Sequence, residues 1–138
     1  MKVLIDTNVL LDVFTARKPF VSFSEAVLDL CEDQISGAIT ASQTTDIYYL
    51  LRRNGLGEKK SKDILRSITT VLKVLPVTKT DVNNALNSCL PDFEDSLLES
   101  CAARYKAEYI LTRDRDFSGS LIPAITPKAF LEKFFSIT

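Results

Sequence analysis

Residues 1–14 read MKVLIDTNVLLDVF. The run Val3-Leu4-Ile5 is short and apolar. Polar Asp6-Thr7-Asn8 ends it before Val9-Leu10-Leu11 turns apolar again. A β-rich run bounded in this way is a buried strand. A strand that stops on a carboxylate puts a charge at the rim of the core, and an unpaired buried charge is costly. Asp6 is therefore either the cap of the next helix or the holder of something positive.

Working outward, strands and helices alternate. A short helix is expected from Asn8 to about Thr15. A second opens at the capping-box pattern Ser22-Phe23-Ser24-Glu25 and carries Val27, Leu28, Leu30 and Cys31. Ala38-Ile39-Thr40 is a strand, and Ser42 is placed to cap the helix that runs to Arg53 and stops at Asn54-Gly55. Lys59 to Leu72 has an apolar stripe of Ile64, Leu65, Ile68, Val71 and Leu72. Val74 to Val77 reads as a strand that Pro76 confines to an edge. Thr80 is placed to cap a helix through Leu86, and another runs from Phe93 to Lys106. Tyr109 to Thr112 and Ala124-Ile125 are strands. Thr126-Pro127 starts a last helix with its cap and N1 proline in their favoured places, docked by Phe130, Leu131, Phe134 and Phe135.

This alternation specifies a parallel sheet with helices on both faces. The expected architecture is a three-layer α/β/α sandwich around a central, mostly parallel, twisted sheet of four to five strands. The 138 residues, 46% of them hydrophobic, suit one domain over 1–138. No apolar run approaches the ~18 residues of a membrane span, and Asp6 interrupts any signal-peptide core, so a cytoplasmic protein is expected. Three cysteines without CxxC spacing, Cys31, Cys89 and Cys101, argue against a disulfide framework or zinc knuckle and are expected to be buried thiols.

Histidine is absent, which excludes a Ser-His-Asp triad and a His-based ribonuclease mechanism. Carboxylates, lysines, hydroxyls or a metal must then do any chemistry. The net charge of −1 gives no global field for nucleic acid. Between Arg52 and Arg66, however, Arg52, Arg53, Lys59, Lys60, Lys62 and Arg66 stand against only Glu58 and Asp63. That run is either a solvated surface or a phosphate track.

In open parallel sheets ligands bind beyond the carboxyl ends of the strands. Asp6 directly follows the first strand, and Asp114 and Asp116 follow the strand ending at Thr112. Asp95 lies in the first turn of a helix, where a carboxylate also suits the helix dipole. Asp46 sits beside the apolar stripe of its own helix. Taken singly, each acid has an ordinary structural explanation. Jointly, the carboxylates repel one another unless a cation holds them. An all-oxygen set without His or thiolate suits Mg2+ or Mn2+, the ions that serve phosphoryl chemistry at such clusters.

Four segments in order resemble the PIN-domain nucleases. They are Leu4-Ile5-Asp6-Thr7-Asn8-Val9, Ile39 through Leu50 with Asp46, Glu94-Asp95-Ser96-Leu97, and Leu111-Thr112-Arg113-Asp114-Arg115-Asp116-Phe117. The resemblance implies a PIN-like fold and a Mg2+- or Mn2+-dependent ribonuclease leaving 5′-phosphate and 3′-hydroxyl ends. It implies Asp6 and Asp95 as metal ligands, with Asp114 and Asp46 completing the catalytic set. Asp46 stands where the family usually has Glu, one methylene longer, and Asp116 competes with Asp114 for the fourth place. Thr7, Asn8 and Thr112 would orient carboxylates or water. Arg113 and Arg115 would meet substrate phosphate, and Arg52 and Arg53 would begin an RNA track. Many small members resemble VapC-type toxins held inactive by an antitoxin, and the family favours homodimers. The rival reading is an inactive PIN-fold scaffold or RNA-binding protein. A receiver domain would need an acidic pair after strand one and a late lysine. A haloacid-type phosphatase would need Asp where Asn8 stands.

Overall fold

A computed structural model describes residues 1–136. Five strands, β1 (Lys2–Ile5), β2 (Ser36–Thr40), β3 (Lys73–Leu75), β4 (Tyr109–Leu111) and β5 (Ala124–Ile125), form one sheet in the order β3-β2-β1-β4-β5. All four pairings are parallel. The helices are α1 (Thr7–Phe14), α2 (Val21–Leu30), α3 (Ala41–Arg53), α4 (Glu58–Val71), α5 (Lys79–Leu86), α6 (Phe93–Tyr105) and α7 (Pro127–Phe135).

The strand period of two divides the apolar residues between two cores. Val3, Ile5, Ile39 and Leu111 pack with residues of α1, α2, α3, α4 and α7. Leu4, Ala38, Leu75 and Ile110 pack with Leu98, Cys101, Ala102 and Tyr105 of α6, and α5 lies against α6. The expected three layers are present, with the sheet parallel throughout. Gly37 lies where the layers close up. A Cβ there would stand 2.6 Å from Cys31 Sγ and 2.8 Å from Leu72 Cδ2, so the strand admits no side chain at that point.

Several expected boundaries and caps shift. The Ser22 capping box does not form. The chain is already turning at Arg17, whose carbonyl takes the Val21 N–H, and the Phe20 carbonyl takes those of Phe23 and Ser24. The donors that Ser22 would have satisfied are therefore occupied, and α2 begins at Val21. Helix α3 is capped by Thr40 rather than Ser42, with Gln43 answering in a reciprocal box. Thr78 and Asp81 do the same for α5 in place of Thr80. β3 occupies the expected edge but ends at Leu75, before Pro76. β4 stops at Leu111, and the Thr112 N–H just beyond it still donates to the Ile125 carbonyl of β5 at 3.0 Å. Cys31 and Cys101 are buried as expected, and Cys89 is exposed in the turn after α5. Phe134 is more than one-third exposed, and its ring meets that of Tyr109 edge-on at 5.5 Å.

Candidate metal centre

β1 has β2 and β3 on one side and β4 and β5 on the other. The chain therefore reverses its direction of growth between β1 and β4, which opens a crevice at their carboxyl ends. The ladder itself runs into this crevice, with the Asp6 N–H donating to the Leu111 carbonyl at 2.9 Å.

Asp6 caps α1 and is buried. Its Oδ1 accepts from the Thr7 N–H at 2.7 Å. Its Oδ2 accepts from Thr112 Oγ1 at 2.7 Å and from Asn8 Nδ2 at 3.3 Å. Asn8 Nδ2 also reaches Thr112 Oγ1, and Asn8 Oδ1 accepts from the Arg113 N–H, both at 3.3 Å. Thr112 Oγ1 in turn accepts from the Asp114 N–H at 2.9 Å. Asn8 and Thr112 thus lock the loops after β1 and β4 together. Thr7 contributes its backbone N–H, and its hydroxyl takes a bond from Gln43 at 3.2 Å.

Asp95 arrives from the other helical layer. It is the third residue of α6, whose cap Asp92 accepts from the Asp95 N–H at 3.0 Å. In α3 and α5 the third residue reaches back to the cap, as Gln43 and Asp81 do. Asp95 forms no such box. Its Oδ2 is buried without a hydrogen-bond partner, and an orphaned buried carboxylate oxygen is rare and costly.

One carboxylate oxygen from each of Asp6, Asp95 and Asp114 lies within 4.8 Å of the others. The electrostatics follow from that crowding. Burial pushes the Asp95 carboxyl up to about 8, helped by the charges of Asp6, Asp92 and Asp114. Burial also raises Asp6, against the opposing bonds from Thr112 and Thr7. Removal from water raises Glu94 to about 7, reinforced by the carboxyl of Asp46 beside it and by the charges of Asp92 and Asp6. The three oxygens fit a hard divalent cation. They are all carboxylate, one lacks any other partner, and their span needs little closure to reach the ~2.1 Å bonds of Mg2+.

Asp46 stays outside the triad of oxygens, half-buried on α3 and paired with Glu94. Asp116 is exposed in the single 3-10 turn Arg115–Phe117, and its N–H donates to Asp114 Oδ1 at 2.8 Å. Between the two competing acids, the geometry brings in Asp114. Arg115 is exposed on that turn. Arg52 and Arg53 are exposed in the last turn of α3, about two turns beyond Asp46.

Arg113, expected to meet substrate phosphate, makes a buried ion pair on its inner side. Its Nε and Nη2 grip the two oxygens of fully buried Asp12 at 2.8 and 2.7 Å, and its guanidinium lies 3.9 Å from the centre of the Phe20 ring. Ser24 Oγ gives Asp12 a further bond at 3.2 Å. A buried carboxylate needs such a partner. Sequence reasoning took Asp92 and Glu94 only as cap or first-turn acids beside Asp95, and it passed over Asp12. The available signal was an acid set among Leu10, Leu11 and Val13 on a helix whose neighbours are otherwise apolar.

The PIN domain family profile matches residues 2–116. Ribonuclease VapC1 of Aquifex aeolicus (strain VF5) is 25% identical over 139 aligned positions, covering 96% of this chain and 95% of that protein. The solved structure of VapC20 from Mycobacterium tuberculosis, described as a toxin that cleaves the sarcin-ricin loop, superimposes with a TM-score of 0.73. It is 15% identical and spans 91% of this chain and 99% of its own. VapBC2 from Rickettsia felis, solved on a DNA fragment from its promoter, gives a TM-score of 0.70 at 12% identity, over 91% of this chain and 98% of that one. The profile covers most of the chain, including Asp6, Asp46, Asp95 and Asp114, and the protein belongs to the PIN-domain family.

Proposed function

We propose that this protein is a divalent-metal-dependent endoribonuclease that hydrolyses RNA phosphodiesters at the Asp6–Asp95–Asp114 cluster and serves as the toxin of a toxin–antitoxin pair. The observation that carries the reading is the gathering of one carboxylate oxygen each from Asp6, Asp95 and Asp114 within 4.8 Å of one another, with Asp95 Oδ2 buried and without a hydrogen-bond partner. The similarity to Ribonuclease VapC1 supports RNA as substrate, and the likeness to VapBC assemblies supports an antitoxin partner. A homodimer is part of the proposal, as the family resemblance favours.

Asp6, Asp95 and Asp114 would hold Mg2+ or Mn2+, with Asp46 and Glu94 extending the negative field on one side. When bound, the cation supplies Lewis-acid polarisation of the phosphodiester and of the attacking water. The chain's own part is positional. Thr112 and Asn8 hold one Asp6 oxygen, and the Thr7 N–H holds the other. The Asp116 N–H fixes Asp114. Rigid carboxylates keep the reacting atoms in line without reorganisation during the reaction.

The test is cleavage of total RNA and of a labelled oligonucleotide by purified protein in Mg2+, Mn2+ or EDTA, beside Asp6→Asn and Asp95→Asn. Expected are 5′-phosphate products in metal, none in EDTA and none from either variant. Wild-type rates from Asp95→Asn would overturn the assignment. Co-purification with the product of the adjacent reading frame checks the antitoxin, and sedimentation checks the dimer.

A further inference from the structure

A groove of about 1170 Å3 opens beside the carboxylates, sharing Thr112 and Asp114 with them. That exceeds the ~300–1,000 Å3 usual for a small ligand. Phe20, Phe23 and Ile125 give it apolar faces, and the exposed cations Arg115 and Lys128 also line it. We infer that this groove takes the unpaired RNA strand next to the cleaved phosphodiester, with bases against Phe20, Phe23 and Ile125 and phosphates at Arg115 and Lys128.

The inference rests on the ribonuclease reading and adds to it where the strand lies. Three observations carry it. The first is continuity, because a strand leaving the Asp114 carboxylate enters this groove directly. The second is charge. A cluster of carboxylates repels a phosphate backbone, and a chain of net charge −1 has no general field to offset that. Neither Arg115 nor Lys128 is in an ion pair among the described residues. The neighbouring Arg113 is consumed by Asp12, and Lys59, Lys62 and Arg66 of the α4 patch are paired with Asp63 or Glu58. Arg52, Arg53 and Lys60 also lack an ion pair among the described residues, but they do not line the groove, whereas Arg115 and Lys128 do. The third is the lining. Aromatic and aliphatic walls match the faces of bases that have left a stack, faces that a duplex keeps hidden. The Arg113 guanidinium against Phe20 holds that ring in place.

The test is fluorescence anisotropy with a labelled unpaired oligoribonucleotide across a salt series, using Asp95→Asn in Mg2+ so that RNA is not cut. The same salt series is read as KM from wild-type cleavage, which serves if Asp95→Asn folds poorly. Arg115→Gln and Lys128→Gln should each weaken binding severalfold and lower the slope of log affinity against log salt by about 0.7, the share of one phosphate contact to a single strand. In cleavage each should raise KM and leave kcat near wild type. Lys79→Gln, on α5 and outside the groove, should match its parent, and the same sequence as a duplex should bind much more weakly. If wild type cuts RNA while both groove variants keep parental affinity and slope, the groove assignment falls and the ribonuclease reading stands. If wild type neither cuts nor binds RNA in any metal, both fall together.

Discussion

Replacing Arg113 with alanine should destabilise the protein far more than its position on a partly exposed loop suggests. Asp12 is fully buried, and both of its oxygens are held by the Arg113 fork, with Ser24 as the remaining donor. Removing the guanidinium leaves a buried charge with one neutral partner, a loss of about 3–5 kcal/mol. At ~2.1 cal/mol/K of unfolding entropy per residue, 138 residues give about 0.29 kcal/mol per kelvin. The expected fall in Tm is thus about 10–17 °C. Asp12→Ala should cost less, because the Arg113 side chain keeps 24% exposure and can turn to water. The double variant Asp12→Leu with Arg113→Met should recover most of the loss, since well-packed apolar residues replace buried ion pairs with little penalty. Thermal and urea unfolding of the four proteins in EDTA gives the comparison. An Arg113→Ala midpoint within about 3 °C of wild type would refute the claim that this pair, rather than the surrounding packing, secures the β4 loop to α1 and α2.

Three further outcomes are expected. Gly37→Ala drives a methyl into Cys31 Sγ and Leu72 Cδ2 and should cost about 1–3 kcal/mol in urea unfolding, with part of it returned when Cys31 is also made alanine. In EDTA the native protein should lose stability as pH rises from about 4 to about 8. The Asp95 carboxyl is raised from 3.8 to about 8, so across that range the native state holds a proton that the unfolded chain has already released, and stability falls until the native carboxyl ionises too. Asp95→Asn should flatten the profile, and Mg2+ at 100 times its Kd should raise wild-type stability by about 2.7 kcal/mol with little effect on the variant. Iodoacetamide should label Cys89 alone in the native protein, counted by mass spectrometry. Burial pushes Cys31 up to about 12 and Cys101 to about 11, leaving both thiols protonated as well as shielded.

The layers and the parallel sheet were legible because periodicity reports burial directly, as in Val3-Leu4-Ile5 and in the stripe on α4. The acids at strand ends were legible for the same reason, since a strand end fixes an edge of the sheet. Helix caps were less so. Ser22, Ser42 and Thr80 have the right chemistry, but Thr40 and Thr78 lie nearer the true helix starts, and at α2 the turn from Arg17 to Phe20 supplies the bonds first. The Arg113–Asp12 pair was not legible because the partners are 101 positions apart in sequence. No local pattern shows that Asp12 turns inward there. Asp114 was favoured over Asp116 because it lies nearer the strand end, and the 3-10 turn that brings its carboxylate to the cluster leaves Asp116 exposed.

The bond between Thr112 and Asp6 joins residues 106 positions apart, and it depends on β4 seating against β1. The carboxylate cluster is therefore assembled only once β4 has joined β1. A nascent or truncated product that stops short of β4 lacks both the Thr112 hydroxyl and the Asp114 carboxylate, however well its first three strands have formed. During synthesis at about 5–20 residues per second, the carboxylate cluster stays incomplete until residues 112–114 have emerged.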